Sequence, residues 1–214
     1  MKKKNLAAAS LLLGAVLAVS GCETVNMAAQ PYLSGIGQAS SGSEVGEIEI
    51  YQHSEYGNNA VFSSLPLDRA IVRVQGSGQH KLAVMMDPVC PASRQLEETL
   101  QGLEDTTTYI FVGPYFSSSP LDLAYQQSCQ PNNGARLQAY ESTMRGVQPN
   151  RINPSHACRA DSREVYNAFL SFFHQATDLV GEETPTGLPI MFFENDITVM
   201  GAPSLENIHK YRAL

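Results

Sequence analysis

Leu82-Ala83-Val84-Met85-Met86 is an unbroken apolar run bounded by polar positions. A run this short, apolar on both alternating faces, predicts a strand in the middle of a sheet. Pro91 to Leu103 follows, with Leu96, Leu100 and Leu103 at helical spacing, and predicts a helix. Thr107 to Val112, β-branched and aromatic, predicts the next strand. Leu121 to Gln127 and Ala135 to Met144 read as helices, the second after the Pro131-Asn132-Asn133-Gly134 turn. Val165, Phe169, Phe172, Phe173 and Ala176 form a further helical stripe. Ile190 to Phe193 and Ile197 to Met200 are strands joined through Glu194-Asn195-Asp196, a hairpin signal, and Ser204 opens a closing helix with Asn207 and His209 facing solvent. Strands alternating with helices give the class α/β, with a helical insertion before the final hairpin.

Upstream the pattern is thinner. Glu47-Ile48-Glu49-Ile50-Tyr51 alternates polar and apolar and reads as a short strand. Ala60-Val61-Phe62 is expected to pair with it around Gly57-Asn58-Asn59, and Leu65-Pro66-Leu67-Asp68 to open a brief helix over Ala70 to Val74. Residues 24 to 46, rich in Ala, Ser, Gly and Gln, read as a flexible tether. No sequence repeats internally. The expected division is a leader over 1–21, a tether over 22–46, a short β/helical segment over 47–80 and the main domain over 81–214.

The leader is an address. Met1-Lys2-Lys3-Lys4 is a basic start, and Leu6 to Val19 is an uncharged run of signal-peptide length, too short to span a bilayer comfortably. It ends in Val19-Ser20-Gly21-Cys22, which resembles the lipobox of bacterial lipoproteins, with Cys22 as the lipidated residue; a plain secretory signal is the alternative. Lipidation there supplies the multiple acyl chains that stable anchoring needs. Glu23, not Asp, follows the cysteine, which resembles outer-membrane sorting. The expected location is the periplasmic side of the outer membrane, lipid-anchored, where disulfides persist.

The chain has 214 residues and a formal charge of −7, and removing the leader removes three lysines more. An acidic balance excludes a nucleic-acid binder of the ordinary basic kind. With 43% hydrophobic and 16% charged residues, it is neither a disordered tail nor a polytopic membrane protein.

Four cysteines carry most of the chemistry. If Cys22 takes lipid, Cys90, Cys129 and Cys158 remain, so one is left free or pairs between molecules. Cys129 and Cys158 lie in polar loops flanking a predicted helix, and their pairing is the favoured one; it closes a loop of about 30 residues, worth about 3–4 kcal/mol. Cys90 is then the odd thiol. It directly follows the buried strand and precedes Pro91 at a helix start, where unpaired N–H groups and the helix dipole favour thiolate. Arg94 adds positive charge one turn on. A buried, inert cysteine is the competing reading.

Leu65-Pro66-Leu67-Asp68-Arg69-Ala70-Ile71, then Leu82 through Asp87-Pro88-Val89-Cys90-Pro91, and then Thr186-Gly187-Leu188-Pro189 followed by strand, turn, strand and Gly201-Ala202-Pro203, together resemble the DsbC/DsbG family of thioredoxin-fold disulfide isomerases. The resemblance runs from about residue 65 to 214. It implies a thioredoxin-like fold, a structural disulfide at Cys129 and Cys158, and a cis-proline at Pro189 opposite Cys90. Two positions depart from the family. The motif is Cys90-Pro91-Ala92-Ser93, with Ser93 in place of the resolving cysteine, and Leu188 stands where the family has Thr. Residues 47–64 stand in for a truncated dimerisation domain, which leaves homodimerisation open.

A lone thiolate can attack a disulfide to give a mixed disulfide, but Ser93 cannot resolve it. The resemblance therefore implies a monothiol isomerase-like exchange protein acting on exported cysteine-containing proteins. Its expected site is Cys90 as nucleophile, Ser93 as thiolate support, and Leu188 and Pro189 as the shelf for substrate backbone. The alternative is a non-catalytic thioredoxin-fold lipoprotein that binds a partner in an envelope assembly such as a secretion or conjugation system. A lasting intermolecular disulfide through Cys90 is a third reading. No cofactor is expected, and no metal, because His53, His80, His156, His174 and His209 show no ligand spacing.

Overall fold

The structure, a computed structural model, describes residues 45–52, 60–113, 121–147, 151–165, 167 and 188–214. The leader, Cys22, the tether up to residue 44, Thr186 and Gly187 lie outside the described residues. So does the apolar stripe from Val165 onward, apart from residues 165 and 167.

Among the described residues six strands form one sheet: β1 (Val45–Gln52), β2 (Ile71–Val74), β3 (His80–Met86), β4 (Thr106–Val112), β5 (Ile190–Phe193) and β6 (Ile197–Ala202). Their order across the sheet is β1-β6-β5-β3-β4-β2. Among these strands only β3 and β4 pair parallel, Val84 facing Ile110, as a strand–helix–strand crossover requires. The crossover is α2 (Pro91–Leu100). β5 and β6 pair antiparallel through a tight turn in which Asp196 takes φ 61°, a left-handed conformation that Asp tolerates.

The apolar run at Leu82–Met86 is buried throughout. It is central because both neighbours, β4 and β5, pair along its length. Each such leucine or methionine contributes about 1.5–3 kcal/mol by leaving water. α2 buries Leu96 and Leu100 in this core, and α6 (Leu205–Arg212) adds Ile208 and Tyr211. Ser204 caps α6, its Oγ accepting the Asn207 N–H at 3.3 Å.

The helical insertion holds α3 (Leu121–Ser128), α4 (Asn133–Met144) and α5, residues 156–165. Asn132 caps α4 by accepting the Ala135 N–H at 2.9 Å, so this helix starts earlier than its apolar pattern suggests. The Cys129–Cys158 disulfide, with Cα atoms 6.0 Å apart, ties the end of α3 to α5 as expected. Gln126 exchanges two hydrogen bonds with the Ile152 carbonyl and N–H at 3.0 and 2.7 Å, fastening the chain ahead of α5 to α3.

Two local expectations fail. Ala60–Ser64 is a short helix, α1, and not a strand: Phe62 and Leu65 bury at a spacing of three, and Asp196 accepts the Val61 N–H at 3.2 Å. The stretch Ala70 to Val74 is not helical either. A 3₁₀ turn at Leu67–Arg69 leads into β2, which pairs antiparallel with β4, Ile71 opposite Ile110. In β2, Ile71 and Arg73 point inward while Val72 and Val74 are more open, a period of two that four residues are too few to advertise. The free edge of β2 is occupied by Asn133, whose carboxamide pairs with the Val72 N–H and carbonyl at 2.8 and 2.7 Å. The edge strand β2 lies within the stretch 47–80 read as a separate N-terminal segment, and the other edge strand, β1, begins two residues before it, at Val45.

Candidate active site

Cys90 is the residue immediately before α2, with extended backbone angles (φ −75°, ψ 123°), and Pro91 occupies the first helical turn. Its side chain makes no capping bond, so the first-turn N–H groups of α2 are not consumed by a cap. The turn that delivers it is tightly held. The Cys90 N–H donates to the Asp87 carbonyl at 3.0 Å, and the Val89 N–H donates to Asp87 Oδ1 at 3.0 Å. Asp87 is fully buried.

From the other side of the site comes the loop into β5. The Leu188–Pro189 peptide bond is cis, in agreement with the resemblance. The Pro189 carbonyl accepts the Gly201 N–H at 2.9 Å, which pins this loop to β6. Cys90 Sγ lies 3.5 Å from the Leu188 carbonyl oxygen. Residues 98 positions apart are thereby brought into contact. Leu188 is buried, and Cys90 itself is only 2% exposed, whereas the neighbouring Val89 is 41% exposed.

Cys90 is not the odd thiol that counting cysteines suggests. No free cysteine is found among the described residues, Cys90 included. Ser93 is fully buried, and its Oγ accepts the Asp87 N–H at 3.2 Å. Among the described contacts it makes no bond to the Cys90 sulfur. Arg94, on the outer face of α2, donates from Nε to the Pro88 carbonyl at 2.7 Å.

Two turns along α2 lies a feature that the sequence reading missed. Glu97 is 3% exposed and Arg73 of β2 is 6% exposed, yet both carry charge. Arg73 donates to both Glu97 oxygens at 2.5 and 3.3 Å and to Glu141 of α4 at 3.0 Å. Tyr140, also on α4, donates its hydroxyl to Glu97 at 2.8 Å and lies under the Arg73 guanidinium at 5.9 Å. Burial works to lower the Arg73 pKa, but the hydrogen bond and charge of Glu97 outweigh it and hold it above the ordinary value. Burial first, and the Glu97 carboxylate second, push the Tyr140 hydroxyl well above its usual range. A charged residue at an apolar-face position of α2, one residue after Leu96, was the available signal.

No protein-family model matches the chain. A "Probable thiol:disulfide interchange protein DsbC" of Bordetella avium is 33% identical over 141 residues, covering 65% of this chain and 44% of that protein. A protein of the same name from Bordetella pertussis is 41% identical over 56 residues, 26% of this chain and 20% of that protein. The chain thus matches less than half the length of either relative. Among solved structures, a disulfide interchange protein from Neisseria gonorrhoeae superposes with a TM-score of 0.54 at 24% identity, covering 70% of this chain and 96% of that one. The chain therefore has a thioredoxin-like fold of the kind found in disulfide interchange proteins and resembles DsbC proteins in sequence.

Proposed function

We propose that this protein is a monothiol thiol–disulfide exchange protein of the bacterial envelope, acting through Cys90 on exported cysteine-containing proteins. The observation that carries the proposal is the position of Cys90: at the start of α2, with its sulfur 3.5 Å from the Leu188 carbonyl beside cis-Pro189. In its reduced form the Cys90 thiolate attacks one sulfur of a substrate disulfide. That S–S bond breaks, a mixed disulfide forms, and the departing substrate sulfur leaves as a thiolate that takes up a proton. A second substrate thiolate then attacks the substrate sulfur of the mixed disulfide and returns Cys90 as thiolate. The substrate has changed its pairing with no net electron transfer. Leu188 and Pro189 form the shelf that aligns the substrate backbone, and Ser93 supports the cysteine from inside the fold. Lipidation at Cys22 takes up that sulfur as a thioether, so that Cys90 is left to pair with substrate, and holds the domain at the periplasmic side of the outer membrane.

A second reading, a thioredoxin-fold lipoprotein that binds an envelope partner without turnover, is favoured by the low exposure of Cys90 and by the absence of a second cysteine at position 93. Acid-quenched thiol trapping in the native host separates the two. Exchange predicts a ladder of mixed disulfides in wild type that is lost in Cys90→Ala. A Cys90→Ala strain with the same non-reducing gel pattern and unchanged folding of exported disulfide proteins would overturn the exchange reading.

A further inference from the structure

The turn from Asp87 to Cys90 is gripped by two consecutive residues of α2. Ser93 reaches back on the buried side and accepts the Asp87 N–H at 3.2 Å. Arg94 reaches back on the outer side and donates Nε to the Pro88 carbonyl at 2.7 Å. Neither bond belongs to the helix or to the sheet ladder. Both act on Asp87 and Pro88, the first two of the three residues that lead the turn into Cys90. We propose that Ser93 and Arg94 are a positioning clasp for Cys90, Arg94 also supplying the charge that favours its thiolate; this deepens the exchange reading and rests on it.

The electrostatics show why such a clasp matters. The Leu188 carbonyl oxygen, 3.5 Å from Sγ, repels a thiolate, and the Asp87 carboxyl at the head of the turn opposes it as well. Favouring the thiolate are the N–H groups at the start of α2, where Cys90 holds the capping position, and the Arg94 guanidinium. Glu97, the next acidic side chain on the buried face of α2, is already matched by Arg73. The favourable interactions depend on direction, so a turn that rocks by a fraction of an ångström trades them for the carbonyl. Bonds from Ser93 and Arg94 fix that direction from opposite sides. The position that holds a second thiol in related motifs therefore keeps a hydroxyl here, and the hydroxyl is spent on the backbone.

The test is site-resolved alkylation of Cys90 in the full chain after mild reduction, followed by mass spectrometry across pH. Ser93→Ala and Arg94→Gln should each raise the pH midpoint of alkylation and slow it at neutral pH by roughly two- to fivefold, the size of one charge or dipole contact at a helix terminus. Arg94→Lys keeps the charge but lacks the Nε donor, and should stay slowed. The double variant should be no slower than the product of the singles allows, and less than additive, because both bonds hold one turn. Circular dichroism confirms that each variant is folded; Arg94 is exposed, so its variants fold even if Ser93→Ala does not. Unchanged midpoints in folded Arg94→Gln, or wild-type behaviour of Arg94→Lys, would overturn the clasp. Because the readout needs no substrate, failure of trapping in the host and failure of the clasp are separate results.

Discussion

Removing the Glu97 carboxylate opens the buried network that joins β2, α2 and α4. Glu97→Ala leaves the Arg73 guanidinium, 6% exposed, facing only the partly exposed Glu141, and leaves the fully buried Tyr140 hydroxyl without its acceptor. Breaking a buried ion pair from one side costs about 3–5 kcal/mol. Orphaning the tyrosine hydroxyl alone costs about 1–3 kcal/mol. The two overlap, since one carboxylate serves both, so the expected loss is about 3–5 kcal/mol, a large part of the roughly 5–15 kcal/mol that holds a domain folded. Glu97→Gln keeps one acceptor oxygen, loses the charge and replaces the other oxygen with an NH2 donor, and should cost about 1.5–3 kcal/mol. Arg73→Met combined with Glu97→Leu removes both charges and should lie closer to wild type than either single. The chain has nine Tyr and no Trp, so urea unfolding is best followed by circular dichroism. A loss under about 1 kcal/mol in Glu97→Ala at an unchanged m-value would refute the reasoning. So would a double variant as damaged as the worse single.

Cys129→Ser with Cys158→Ser should lower stability by about 2–5 kcal/mol, mostly by freeing the unfolded chain, which urea unfolding of the double variant would measure. Gly78, at φ 65°, would place a Cβ 2.7 Å from Thr107 Oγ1 and 2.9 Å from Val74 Cγ1, so Gly78→Ala should destabilise by about 1–3 kcal/mol; a thermal midpoint equal to wild type would contradict this. The Ser77 N–H bonding to Asp105 Oδ1, and the Ser77 side chain after it, hold the Asp105 carboxyl below its ordinary pKa. Its contribution is therefore fully present above about pH 4, the unfolded carboxylate value, and is lost as pH falls through the lower folded value. In Asp105→Asn this part of the acid limb should vanish, and acid titrations of the two proteins that remain parallel throughout would count against it.

The segment from β3 through α2 to β4 was legible in the sequence because its signals are local. A buried strand, a proline at a helix start and a leucine stripe each declare themselves within a dozen residues, and together they place Cys90 at a helix N-terminus. The hairpin of β5 and β6 was legible for the same reason, as was the pairing of Cys129 with Cys158. β2 was misread because its partner, β4, lies more than thirty residues on and four residues cannot show a period. α1 was misread because what fixes it is Asp196 accepting the Val61 N–H across 135 residues.

The site divides along the same line. Sequence alone set the cysteine before α2, the serine at position 93 and the leucine before Pro189, since these are identities. Tertiary structure decided their geometry: the cis bond that brings the Leu188 carbonyl to the Cys90 sulfur, the use of Ser93 on the Asp87 backbone, and the grip of Arg94 on Pro88. It also decided that Arg73, Glu97 and Tyr140, each unremarkable in its own segment, meet in one buried network. A buried charge is tolerable only where distant elements bring it a partner, and no local pattern records which elements those are.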